Sequence, residues 1–210
     1  KPGELKQALA FEAQRYLPFN LQEVVIDGVM LGPSDAHKTW VLIVACKKEL
    51  LERKIDWGKR SGVEIGLVDV DALAIANGFL ANVRSDKAPG ACAIINVGAQ
   101  LTNLVILKDH TPHLVRDIPW GGDKLIRNVA EQMGLEADAV TGQLAQQEPQ
   151  AEMLNALKLS AGTLVTELQL SFDYFENRFN QPPEAVFASG GLSQSKSFLE
   201  VLKSHLTQPV

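Results

Sequence analysis

Residues Ala91–Lys108 read A-C-A-I-I-N-V-G-A-Q-L-T-N-L-V-I-L-K. Two apolar runs, Ala93–Val97 and Leu104–Leu107, flank a small polar turn centred on Gly98 and Ala99. Aliphatic and β-branched runs bounded by a glycine-containing turn predict a β-hairpin. Asn96, Gln100, Thr102 and Asn103 crowd that glycine at the mouth of a buried strand. Gly98 has no Cβ, so the backbone there can approach a ligand closely and offer N–H groups to an anion. Thr102 adds a hydroxyl. This is the pattern of a phosphate-holding hairpin, although an ordinary tight turn is the more common owner of the same letters.

Working outward, the polar stretch Ala81–Gly90 before the hairpin contains Pro and Gly and lacks periodicity, which marks a boundary between two lobes. Asp109–Pro112 turns the chain, and His113–Pro119 reads as a third strand. Trp120-Gly121-Gly122-Asp123 breaks that strand and opens a helix with an apolar face of Leu125, Ile126, Val129 and Met133, ended by Gly134. Glu136–Gln146 is a shorter helix. Glu152–Phe179 carries Leu154, Leu157, Ala161, Leu164, Leu168, Phe172, Phe175 and Phe179 at three- and four-residue steps, predicting a long helix packed on a sheet. Ala185–Ser189 is a short strand emptying into Gly190-Gly191, and Ser197–Leu206 a last helix.

Upstream, Glu4–Leu17 predicts an amphipathic helix stopped by Pro18. Glu23–Leu31 and Thr39–Cys46 read as strands. Lys47–Ser61 reads as a helix with Leu50, Leu51, Ile55 and Trp57 inward and Gly62 as its cap. Val63–Val70 reads as a further strand, and Asp71–Leu80 as a helix capped by Asp71.

The 210 residues suffice for a sizeable core, and an apolar fraction of 46% with 21% charged is ordinary for a soluble globular chain. A formal charge of −5 gives no basic footprint and argues against nucleic acid as the main partner. No apolar run reaches the ~20 residues a bilayer span needs, and no signal peptide opens the chain. Cys46 and Cys92 sit in apolar strand-like runs as core hydrophobes, which fits a reducing compartment. Both ends look cut, so the chain is expected to be a fragment.

Three glycine points follow strands: Gly98, Gly121-Gly122 and Gly190-Gly191. Ligands in open α/β sheets collect at the carboxyl ends of strands, where glycines let backbone amides reach phosphate. Singly, each is best read as a turn. Together they favour a nucleotide cleft. His110 and His113 lack the accompanying ligands of a metal site. Asp69 and Asp71 could hold a cation or act as a base, with helix capping the plainer account. Cys46 shows no sign of activation as a nucleophile, and the Walker A, G-x-S-x-G, H-E-x-x-H and G-x-G-x-x-G patterns are absent.

The order of these elements resembles the second lobe of actin-like ATPases, and the closer likeness is to the PilM family of type IV pilus assembly. The residues carrying it are Phe11–Phe19, Val68–Asn77, Ile95–Leu107, Arg116–Asp123, Ser171–Glu176 and Ala188–Gly191, in the family's order along nearly the whole chain. The resemblance implies an α/β, actin-like (ribonuclease H-like) fold with an inserted small α+β subdomain and a second-lobe βββα unit. Residues 1–62 would be most of the inserted subdomain, 63–80 the end of the first lobe, 81–90 the connection and 91–210 the second lobe. It also implies ATP with magnesium between the lobes, with Asn96, Gly98, Ala99, Gln100, Thr102, Gly121, Gly122, Gly190 and Gly191 as the nucleotide-binding residues.

The implied role is a cytoplasmic scaffold, peripheral at a bacterial inner membrane. It would bind the N-terminal tail of a PilN-like membrane protein and other platform proteins, and homo-oligomerise. Three departures bear on the nucleotide. Asn96 stands where the family has Asp near the metal, Leu192 replaces a third glycine, and the first phosphate loop would precede Lys1. Weakened ATP binding is therefore expected, and hydrolysis is unsupported. The alternatives are an active nucleotide hydrolase or sugar-kinase relative, an FtsA-like filament former, and a GspL-like secretion scaffold.

Overall fold

In the computed structural model, residues 14, 20–35, 38–83, 89–146 and 150–210 are described. The helix predicted over Glu4–Leu17 lies outside them apart from Gln14. The chain divides into two compact units, residues 1–69 and 70–210.

In the first unit, strands β1 (Val24–Asp35) and β2 (Lys38–Lys47) pair antiparallel as a ribbon, with irregularities after Met30 and Pro33. Helix α1 (Lys48–Arg60) follows directly and packs on β2. Its half-buried face is Leu51, Ile55 and Gly58, on which the Ile65 side chain lies. Leu50 and Trp57, expected inward, are exposed instead. Each precedes a stripe position by one residue, a rotation of about 100° that turns it off the stripe. The strand expected over Val63–Val70 is not formed; Leu67 is 81% exposed, and Val63 and Val68 are exposed too. Alternating apolar letters make a strand only where a neighbouring strand offers a ladder, and among the described residues none pairs with this segment.

The second unit is built on a four-stranded sheet ordered β5-β4-β3-β6. Strands β3 (Ala91–Val97) and β4 (Thr102–Lys108) form the predicted hairpin. Strand β5 (Thr111–Ile118) continues antiparallel on one edge, and β6 (Ala185–Ser189) adds parallel to β3 on the other. Nearly every residue of β3 and β4 is buried because helices cover both faces. Helix α2 (Asp71–Asn82) sets Ala72, Ala76 and Phe79 against Cys92, Ile94, Val105 and Leu107. Asp71 is the first helical residue rather than the cap; Val70 occupies the cap position.

The opposite face meets α3 (Gly122–Met133), α4 (Ala137–Leu144), α5 (Ala151–Phe179) and α6 (Lys196–His205). Helix α5 is about 43 Å long and buries Leu157, Leu164, Leu168 and Phe175 completely. Arg116 on β5 ties the sheet edge to it, donating to Ser171 Oγ at 2.6 Å and to Glu167 Oε2 at 2.9 Å. Among the described residues, no helix is long and apolar enough to cross a membrane.

Candidate functional site

The three glycine points converge at one end of this sheet. The turn Gly98–Leu101 closes with the Gly98 N–H donating to the Leu101 carbonyl at 2.9 Å. The carbonyls of Gly98 and Ala99 then accept from the N–H groups of Gly122 and Asp123, at 2.9 and 2.8 Å. The hairpin turn thus caps the first turn of α3. A helix end normally leaves such donors open to an anion; here the sheet occupies them.

Two glycines are dictated by that approach. A Cβ on Gly121 would lie 2.5 Å from the Ala99 carbonyl oxygen, and one on Gly190 would fall on the carbonyl of Val97. Gly190 is also at φ +89, which L side chains avoid. From Gly190 the chain enters a 3₁₀ turn, Gly191–Gln194, and Ser195 Oγ accepts from the Phe198 N–H at the start of α6.

Between these parts lies a cavity of about 440 Å³, bordered by Gly98, Ala99, Gly122, Gly191, Leu192 and Thr141. Leu192 forms one wall, its Cγ over the backbone of Gly122. A larger concavity of about 610 Å³ adjoins it, bordered by Gln100, Trp120, Lys124 and Arg127. Both volumes suit a small ligand. Among the described residues, the N–H groups of Ala99 and Gln100 have no protein acceptor. Thr102 does not reach either space: it is fully buried and donates to the Trp120 carbonyl at 2.7 Å, bracing the hairpin.

Asn96 faces the other way. It points to the α2 side of the sheet, where it belongs to a polar row crossing all four strands. The Ser189 hydroxyl lies 3.2 Å from Asn96 Oδ1 and from the Ile95 carbonyl. Asn96 Nδ2 donates to Asn103 Oδ1 at 3.2 Å, and Asn103 Nδ2 donates to Asp117 Oδ1 at 2.8 Å. Sequence reasoning missed Ser189 and Asn103 as partners of Asn96, and Asp117 as the partner of Asn103. The available signal was Asn96 and Asn103 facing each other across the hairpin register.

Whether ATP with magnesium suits these residues is decided at Asn96. Its carboxamide is neutral, its nitrogen bonds Asn103 and its oxygen faces the Ser189 hydroxyl. Magnesium is usually held through one or two carboxylates with phosphate. Among the described residues, no group of three or more His, Cys, Asp or Glu could hold an ion. The turn amides and the cavity fit a phosphate-bearing ligand; the residues at Asn96 do not fit the metal.

His113 and Cys92 are held in packed surroundings. His113 packs edge-on against Phe179 at 5.0 Å. Burial, and then the Lys108 ammonium, hold its imidazole below its usual pKa, opposed by Asp109. Cys92 is buried, which together with Glu184 pushes its thiol up to about 11.

The profile of the family described as type IV pilus assembly protein PilM matches residues 1–210. A solved PilM–PilN type IV pilus biogenesis complex contains a chain similar to this one at 24% identity and TM-score 0.81. That match covers 99% of this chain and 62% of the other, so the chain spans less than two thirds of that relative's length. Weaker likenesses include the ethanolamine utilization protein EutJ of Carboxydothermus hydrogenoformans, at 16% identity, TM-score 0.48, 67% of this chain and 48% of that one. Another is MreB 5 of Spiroplasma citri bound to AMPPNP, at 14% identity, TM-score 0.48, 76% of this chain and 64% of that one. The fold is α/β and actin-like. The chain belongs to the type IV pilus assembly protein PilM family.

Proposed function

We propose that the chain acts as a cytoplasmic scaffold of a type IV pilus assembly platform. It would sit at the inner membrane by binding the N-terminal tail of a PilN-like membrane protein. The observation that carries this reading is the family match along all 210 residues; the likeness to a chain solved in a PilM–PilN complex accords with it. In the same reading residues 1–62 correspond to the inserted subdomain, 63–80 to the end of the first lobe, 81–90 to the connection and 91–210 to the second lobe. Fold alone does not define a function, so the test is direct. Fluorescence anisotropy with the N-terminal peptide of a PilN-like protein should give saturable binding that a scrambled peptide does not compete. A flat titration with folded protein would remove the scaffold reading.

Nucleotide binding is the second part of the proposal. Gly98, Ala99, Gln100, Gly122, Gly190 and Gly191 would hold a phosphate-bearing ligand beside the 440 Å³ cavity. Affinity is weakened relative to a site with a carboxylate at position 96. Calorimetric titration of ATP tests this separately from the peptide, so either part can fail alone. Hydrolysis is not part of the proposal; among the described residues, no group of three or more His, Cys, Asp or Glu could hold a metal ion for it.

A further inference from the structure

The row Ser189–Asn96–Asn103–Asp117 has a direction, and its charged end sets that direction. A carboxylate only accepts hydrogen bonds, whereas a carboxamide has a donating and an accepting end. Asn103 must therefore turn its Nδ2 to Asp117, which leaves its Oδ1 toward Asn96. Asn96 must answer with its own Nδ2, leaving Oδ1 for the Ser189 hydroxyl. No link can reverse alone without setting two oxygens against each other. Asn103 is 5% exposed, so water cannot easily replace a lost bond there.

We propose that Asp117 is a positioning residue for this end of the sheet: acting through Asn103, its carboxylate fixes which way the Asn96 amide faces, and the row so set accommodates an amide but not a carboxylate at position 96, leaving no acidic ligand there for a divalent cation. The ligand class that fits is a phosphate-bearing molecule bound without a metal ion. That ligand class rests on the nucleotide reading above; the direction of the row does not. An aspartate at position 96 would place a carboxylate oxygen against Asn103 Oδ1 while Asp117 keeps Asn103 from turning over. Moving the charge resolves the conflict. With Asp117→Asn also present, Asn103 can donate to position 96 and accept from position 117; the two links at Asn103 reverse, the Ser189 hydroxyl still donates to position 96, and every bond is made.

The deciding experiment is a thermal-unfolding cycle on the full chain with wild type, Asn96→Asp, Asp117→Asn and the double variant. Asn96→Asp should lower the second unit's melting temperature by roughly 4–8 °C. Asp117→Asn alone should cost about 2 °C or less, since its amide can rotate at the surface. The double variant should return to within about 2 °C of wild type, the coupling expected of two positions linked through Asn103. Additive losses, or no loss in Asn96→Asp, would overturn the proposal. Titration with ATP supplies the ligand arm. Wild-type affinity should agree within about twofold between magnesium and a chelator, and the double variant should become dependent on magnesium by about tenfold. A magnesium requirement in wild type would overturn metal-free binding. If wild type takes up no ATP in either condition, the nucleotide reading falls and the melting cycle still decides the row.

Discussion

The ribbon β1–β2 and the hairpin β3–β4 are both antiparallel and both rich in Val, Ile and Leu. Helices cover the hairpin on its two faces, while the ribbon keeps Val25, Val29 and Met30 exposed, Met30 by 59%. The difference lies in what the rest of the chain brings to each. Among the described residues, a single 13-residue helix follows the ribbon, whereas the hairpin has α2 on one side and four helices on the other. Apolar letters thus report that a strand can be buried, and the neighbouring elements determine whether it is.

The sharpest way to break that comparison is truncation in each hairpin. Leu104→Ala in β4 should cost about 2–5 kcal/mol, through lost transfer energy and the cavity left in a helix-covered sheet. Met30→Ala in β1 should stay within about 0.5 kcal/mol. Urea unfolding followed by circular dichroism measures both, and a comparable loss at Met30 would mean that the ribbon's face is covered. Backbone approach gives the next contrast. Gly121→Ala forces a Cβ against the Ala99 backbone and should cost about 1–3 kcal/mol. Gly66→Ala in the first unit meets nothing within 4 Å and should be nearly silent.

The two cysteines sharpen the comparison chemically. Cys92 lies in the buried hairpin with its pKa near 11, so only on the order of a thousandth is thiolate at pH 8. A thiol-reactive dye at pH 8 should label half-buried Cys46 in native protein and reach Cys92 only after urea is added. Because the folded value is the higher one, Cys92 should leave stability untouched below pH 9 and erode it between about 9 and 11. The smallest effect is expected at His113, whose folded pKa is lowered. Its contribution is present above the ordinary histidine value of 6.5 and declines as pH falls below it. His113→Gln should flatten that acid limb in a series of melts, and an unchanged limb would assign it to other groups.

Where local rules suffice, the fold was legible. The β3–β4 hairpin, the long α5 and the glycine after α3 follow directly from periodicity and turn chemistry, since each depends on residues close in sequence. Val63–Val70 was not legible, because its alternation resembles a strand and only a partner strand could make it one. Leu50 and Trp57 were misplaced because a 13-residue helix with one half-buried face leaves room for apolar residues beside the stripe. At the candidate site, the glycines could be singled out but not their reason: Gly121 and Gly190 answer to the backbone of the hairpin. The polar row was hidden because Asn96 and Asp117 meet only through two strand pairings and one shared neighbour.

Capping α3 with hairpin carbonyls also has a kinetic consequence. Helix ends ordinarily fray, and their first amides exchange with solvent far faster than those of a core strand. Gly122 and Asp123 can release their protons only if the Gly98–Leu101 turn lifts away, which requires the strands on either side to open. The turn and the helix start therefore open as one cooperative unit. In deuterated buffer these two amides should survive as long as those of β3, and a molecule that pries the turn open would release strand and helix together.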